Sequence, residues 1–311
     1  MNIQTISIVV PTKGCVNKCK FCVSCMHENK YENTFDEFQI TKRIKWAVLN
    51  GINTCIITGT GEALQNYHFL GRLADIFRKM DHPFPDVELQ TSGVMLDATE
   101  EKCTAKDGYP YNEYYNITIL RELGVNTISL SVSDIFDSQN NAAIIGMSEK
   151  LKFNLAERCS FIKEAGFNLR LSLNMTNVYN NKTPEQILNA CKSLGANQIT
   201  FRKLYNSNDN SPQTQWVKAN AANNVVIDKI KEYIAGEHYL NVAGLKIDRP
   251  GKGQPLYRLP FGPMVYSIMG MSTVVDDNCM NKDSFDTLKY VILRENGKLY
   301  TQWDDEGSLR F

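Results

Sequence analysis

Apolar runs and amphipathic stretches alternate along the first two thirds of the chain. Thr5-Ile6-Ser7-Ile8-Val9-Val10 reads as a buried strand, and Pro11, which lacks an amide donor, ends its ladder. A helix is expected from about Phe35 to Leu49, closed by Asn50-Gly51, and Ile52 to Thr58 then reads as a second strand. The unit recurs, because Leu123-Gly124-Val125, Ala165-Gly166-Phe167 and Leu194-Gly195-Ala196 each repeat helix end, glycine and strand. Leu70, Leu73, Ala74 and Phe77 share one helical face, Leu151, Leu155, Cys159 and Ile162 another, and Ile187, Leu188, Cys191 and Leu194 a third. Thr183-Pro184 supplies an N-cap and a proline at the first helical position.

This alternation predicts an α/β fold of parallel strands joined by helical crossovers. Six strands are expected, at about 4–10, 52–58, 86–91, 126–132, 167–174 and 197–204. An insertion from about Met95 to Tyr115, with Tyr109, Tyr111, Tyr114 and Tyr115, separates the third strand from its helix. Beyond the sixth strand come a helix over 214–235, an irregular region with Pro250-Gly251-Lys252-Gly253 and Pro260-Phe261-Gly262-Pro263, and a hairpin over 288–303 turned by Asn296-Gly297. The division expected is a core over 1–210 and an extension over 211–311 that covers the open side of the core and contributes to a substrate pocket.

The loop after the first strand carries the chemistry. Cys15, Cys19 and Cys22 stand at the spacing C-x-x-x-C-x-x-C. Thiolates are the ligands of [4Fe–4S] clusters, and four of them normally hold the four irons, so a set of three leaves one iron open. A zinc site built from these cysteines with Cys25 or His27 is the rival reading of the same residues. The chain has nine cysteines, an odd number without a pairing pattern or an apolar leader before them, which points to a reducing cytoplasm rather than to disulfides. Cys159 and Cys191 lie on apolar helical stripes and read as core residues.

The motif, including Phe21 just before its last cysteine, resembles the signature of the radical S-adenosylmethionine (radical SAM) superfamily. That resemblance implies a partial (β/α)6 TIM-like barrel whose active site lies on the loops at the C-terminal ends of the strands. It implies a [4Fe–4S] cluster on Cys15, Cys19 and Cys22 and SAM chelated to the open iron. It further implies reductive cleavage of SAM to a 5′-deoxyadenosyl radical that takes hydrogen from a substrate. Thr58-Gly59-Thr60-Gly61-Glu62 resembles the family's Gly-Gly-Glu segment, with Thr60 in place of the first glycine of the pair, so Gly61 and Glu62 are expected to hold the methionine of SAM. Phe21 is expected against the adenine, and Ser131 and Asn174 at the ribose and carboxylate. Gln90-Thr91-Ser92-Gly93 stands where relatives often show Thr-Asn-Gly. Arg202 and Lys203, adjacent on the sixth strand, are both placed to hold a carboxylate, and alternation turns one of them outward.

Composition narrows the substrate. The 311 residues are 43% hydrophobic, with lysine plus arginine and aspartate plus glutamate equal at 34 each, so no net field draws the protein to nucleic acid or a lipid surface. No apolar run approaches a membrane span. The last 120 residues hold only Cys279, so the cysteine-rich auxiliary-cluster domain of peptide-modifying relatives is not expected. A small polar substrate and an external reductase or flavodoxin-type electron donor are the partners implied. On length and layout the chain resembles the queuine lyases of 7-deazaguanine salvage, for which Asp276, Asp277, Asp304 and Asp305 are candidate acceptors of the N–H edge of a guanine-like ring. Glycyl-radical activating enzymes, with an exposed groove for a protein, are the alternative within the superfamily.

Overall fold

The computed structural model describes residues 3–26, 35–98, 115–207, 209–240, 246–277 and 288–303. The repeated units run β1 (Thr5–Val10), α1 (Glu37–Leu49), β2 (Thr54–Gly59), α2 (Tyr67–Lys79), β3 (Asp86–Thr91), α3 (Tyr115–Glu122), β4 (Thr127–Val132), α4 (Ser138–Ile145), α5 (Leu155–Glu164), β5 (Asn168–Met175), α6 (Pro184–Ser193) and β6 (Gln198–Lys203). All six expected strands are present, and they pair in parallel in sequence order. The four helix-ending glycines at 51, 124, 166 and 195 all adopt the left-handed conformation, with φ between 70° and 89°.

Period-two alternation divides the sheet. Ile8, Ile57, Leu89, Ile128 and Leu169 form one cross-strand row and join Leu70, Leu73 and Phe77 of α2 in the main core. The adjacent row, Ser7, Ile56, Glu88 and Thr127, points to the other face and is mostly polar. The sheet thus presents an apolar face to the helices and a polar face to its own concavity.

The C-terminal residues form α7 (Pro212–Asn220), α8 (Asn224–Ala235), β7 (Gly236–Leu240), β8 (Lys246–Pro250), β9 (Gln254–Arg258), β10 (Met264–Ile268), β11 (Met271–Asp276), β12 (Val291–Leu293) and β13 (Leu299–Tyr300). They extend the barrel sheet at both edges. β11 pairs in parallel with β6 and carries β10 and β9 outward, while β12 pairs in parallel with β1 and turns back as β13. The result is one sheet of eleven strands, with β7 and β8 as a separate antiparallel pair.

Three expectations change. The helix expected over 214–235 is two, because Ala221 is extended, bridges Thr176, and is followed by an Ala222 amide that donates to the Met175 carbonyl at 2.9 Å. The region read as irregular holds β7 to β11. β9 is exposed along its whole length and carries Pro255, so it lacks the apolar alternation that marks a strand. Leu151 belongs to a separate 3-10 turn, and α5 starts only after Asn154, whose side chain accepts from the Ala156 and Glu157 amides. The expected hairpin is present as β12 and β13. Tyr109, Tyr111 and Tyr114 of the insertion, together with Asp304 and Asp305, lie outside the described residues.

Candidate active site

Two strand ends, a 3-10 turn over Ala63–Gln65 and one helix end hold the cysteine loop. Thr12 N donates to Thr60 Oγ1 at 3.1 Å, Val16 N to Gln65 Oε1 at 2.8 Å, and Asn17 Nδ2 to Ser92 Oγ at 2.7 Å. From the far side, Lys18 N donates to the Gly146 carbonyl and Lys20 N to the Ile144 carbonyl, both at 3.1 Å. Thr60, the departure from the Gly-Gly-Glu pattern, therefore has a local structural role, since its hydroxyl ties β2 to the start of the loop. Phe21 packs against Trp216 of α7, with ring centroids 6.1 Å apart.

Cys15, Cys19, Cys22 and Cys25 are all free thiols. Burial pushes the Cys15 and Cys19 thiols above their ordinary value, and the negative charges of Cys22 and Glu62 add to the effect in both. Cys25 is pushed up to about 11 by burial and by Cys22. These thiols ionise readily only with positive charge beside them, which iron supplies. Among the described residues no three His, Cys, Asp or Glu side chains are grouped to hold a single metal ion. A cluster gives each thiolate its own iron and so spaces its ligands more widely than one zinc does. Three free thiols on one anchored loop fit such a cluster.

Gly61 and Glu62 stand directly against the loop. A Cβ on Gly61 would lie 2.5 Å from Thr12 Oγ1 and 2.7 Å from the Gly14 carbonyl. Glu62 is buried, 4% exposed, and its carboxylate accepts from Thr91 Oγ1 at 2.6 Å, Ser92 N at 2.9 Å and Ser92 Oγ at 2.5 Å. Ser131 is half-buried on β4, in register with Ser172. Asn174 is 6% exposed, and its Nδ2 lies 3.5 Å from Ser133 Oγ. Ser129 and Ser133 are buried.

Inside the sheet lies a cavity of about 640 Å³. Val23 and Ser24, next to Cys22, line it together with Gly59 on the cysteine-loop side, and Arg202 and Asp276 line it from β6 and β11. Alternation is thereby resolved: Arg202 faces the cavity and Lys203 is exposed. Lys289 Nζ sits 2.5 Å from Asp276 Oδ2 and 4.7 Å from the centre of the Phe261 ring. Tyr290 and Trp303 complete this wall, with Trp303 Nε1 donating to the Tyr290 hydroxyl at 3.1 Å. Toward the N-terminal ends of β5 and β6, Arg170 pairs with Glu88 and donates from Nε to Gln198 Oε1 at 2.6 Å. Asp277 instead pairs with Lys231 at 2.5 Å. Asn17, Gln65, Lys289, Tyr290 and Trp303 escape the sequence reading, because each acts through contacts between distant segments.

No protein-family model matches the chain, and no curated protein matches it by sequence. Its likeness is to solved structures. Streptococcus suis SuiB bound to S-adenosylmethionine matches over 99% of this chain with a TM-score of 0.59 at 11% identity, and the chain spans 62% of the SuiB chain. The anSMEcpe structure with bound AdoMet matches over 99% of this chain and 77% of its own, with a TM-score of 0.56 at 12% identity. Methylornithine synthase, PylB, matches over 73% of this chain and 61% of its own, with a TM-score of 0.50 at 15% identity. The fold shared with these structures is a partial barrel, a mostly parallel α/β sheet with antiparallel strands added by the C-terminal residues. Among the described residues no helix is long and apolar enough to cross a membrane.

Proposed function

We propose that the protein is a radical SAM enzyme acting on a small polar molecule, and that this molecule is queuine. The observation that carries the reading is a cavity lined both by Val23 and Ser24, directly after Cys22, and by the polar groups of Arg202 and Asp276. Cys15, Cys19 and Cys22 would hold a [4Fe–4S] cluster, with Gly61, Glu62 and Phe21 at bound SAM and Ser131 and Asn174 as weaker contacts. When bound and reduced by a flavodoxin-type donor, the cluster and SAM would supply radical chemistry for hydrogen abstraction. The residues of this chain would orient both groups. Asp276 offers the carboxylate that a guanine-like N–H edge requires.

On queuine the reaction is a lyase step that breaks the C–N bond between the cyclopentenediol and the aminomethyl-deazaguanine. The test is anaerobic reconstitution with iron and sulfide, then dithionite and SAM, with 5′-deoxyadenosine and free aminomethyl-deazaguanine measured with and without queuine. Both should rise with queuine. Output of 5′-deoxyadenosine indifferent to queuine would keep the radical SAM reading and remove the substrate, whereas a colourless protein holding zinc would remove both.

A further inference from the structure

Three cationic side chains are found among the described residues that line the cavity, and two of them have acidic partners. Arg170 pairs with Glu88, and Lys289 pairs with Asp276. Arg202 has neither ion pair nor hydrogen bond among the described residues, and its Nε is buried from solvent without an acceptor. A guanidinium N–H left unmade in a buried position is costly, since the group has lost water and gained nothing. The deficit is local to the C-terminal end of β6, the end at which Val23, Ser24 and Gly59 also reach the cavity. Asp276 is the direct cross-strand neighbour of Arg202, one strand spacing or about 4.8 Å away. Lys289 Nζ holds Asp276 Oδ2 at 2.5 Å, so Asp276 is paired with a cation other than Arg202.

We infer that Arg202 anchors the substrate by donating to an oxygen acceptor on a small planar ligand whose neighbouring N–H groups face Asp276. The inference rests on the proposal that the substrate occupies this cavity. Acceptor beside donor is the pattern of a guanine-like ring edge, with its carbonyl oxygen next to a ring N–H and an amine. A guanidinium and a carboxylate one strand apart present the complement. The same Arg202 geometry would also take the oxygen of a planar carboxylate, and the two sources are separable by experiment.

Calorimetric binding to the reconstituted, SAM-loaded protein tests this with three probes: queuine, its analogue with an amino group in place of the ring carbonyl, and benzoate as a planar carboxylate. The proteins are wild type, Arg202→Met, which keeps an unbranched apolar stem without the guanidinium donors, and Arg202→Lys, with thermal melts to verify folding. Arg202→Met should weaken queuine binding about 10- to 100-fold, and Arg202→Lys should restore part of the loss. The amino analogue should bind weakly to all three proteins, and SAM affinity should not change. Tight queuine binding that ignores Arg202→Met would overturn the inference while leaving queuine as substrate. Wild type that ignores queuine but takes benzoate in an Arg202-dependent way would uphold the anchor and remove the deazaguanine. Loss of SAM affinity in Arg202→Met without loss of queuine would overturn the inference by making Arg202 a cofactor contact.

Discussion

Glu62 accepts both the hydroxyl and the amide of Ser92 on a single carboxylate oxygen, at 2.5 Å and 2.9 Å. The Ser92 hydroxyl in turn accepts from Asn17 Nδ2 at 2.7 Å, inside the cysteine loop. One hydrogen-bond chain therefore runs from the end of β2, through the end of β3, to the residues between Cys15 and Cys19. An ionised carboxylate has about four lone-pair sites, and Thr91 and Ser92 occupy three of them. Glu62 positions the loop while keeping capacity for one further donor, such as a ligand ammonium.

Glu62→Gln should expose that dependence. The new amide NH2 would face hydroxyl and amide donors, so at least one buried donor loses its acceptor, at a cost of about 1–3 kcal/mol. Urea unfolding of the protein without its cluster should show the loss, and iron content after reconstitution should fall as the Asn17 link loosens. An unchanged unfolding midpoint would mean that the Thr91 and Ser92 bonds contribute no net stability.

Two alanine substitutions bracket the loop. At Gly61 a Cβ meets Thr12 Oγ1 at 2.5 Å, and at Gly146, where φ is 69°, it meets the Lys18 carbonyl at 2.4 Å. Either should cost about 1–3 kcal/mol by overpacking and lower iron incorporation, because each pushes on the backbone around the cysteines. Gly71, inside α2 with open space around its Cβ position, serves as control, and Gly71→Ala should stabilise by about 0.5–1 kcal/mol. Iron per chain, measured for all three after the same reconstitution, would refute the packing argument if Gly61→Ala and Gly146→Ala loaded like Gly71→Ala.

The fold was legible where local physics and tertiary structure agree. Leu70, Leu73, Ala74 and Phe77 announce a buried helical face, and all four are buried. Of the six expected runs, β1 ends where Pro11 breaks its ladder and β2 ends at Gly59. Legibility stopped at β9, whose residues 254–258 are exposed and need no apolar signature to pair with β10. It stopped also at the break between α7 and α8, since Ala221 is extended by pairing with Thr176, a partner 45 positions away. The site divides in the same way. The cysteine spacing and the Gly61-Glu62 pair are local and could be read, whereas Lys289 reaching Asp276 is a product of β11 and β12 joining opposite edges of the sheet.

Cys25 offers a test of the loop that needs no cofactor. It is exposed, yet its thiol is pushed up to about 11 by burial of the sulfur and by Cys22. At pH 8 the thiolate fraction should be about a hundredth of that of an ordinary thiol. Iodoacetamide labelling of Cys25 in the folded protein without its cluster, resolved by peptide mass, should be about 100-fold slower than in urea and rise tenfold per pH unit up to 11. Equal rates folded and unfolded would show that the sulfur is as hydrated as a free thiol.

The core cysteines make the alkaline limit of stability specific. Burial pushes Cys159 and Cys191 up from 9.0 to about 12, with the neighbouring Cys159 adding to the effect at Cys191. Between those values the unfolded chain gives up the proton of each thiol while the folded chain keeps it, so the unfolded state binds fewer protons and stability falls as pH rises. Below pH 9 both states keep the protons, and the contribution is constant. Each such thiol should steepen the decline by about 1.4 kcal/mol per pH unit within the window. Cys159→Ala removes one of them and also leaves a small cavity, so its unfolding free energy should begin lower than wild type at pH 8. Its decline from pH 9 to 12 should nonetheless be shallower by that amount, bringing the two curves together as pH rises. Urea titrations at half-unit steps separate the two effects, because a cavity shifts the curve without changing its slope. Parallel curves would mean that Cys159 ionises as easily in the folded protein as in the unfolded chain.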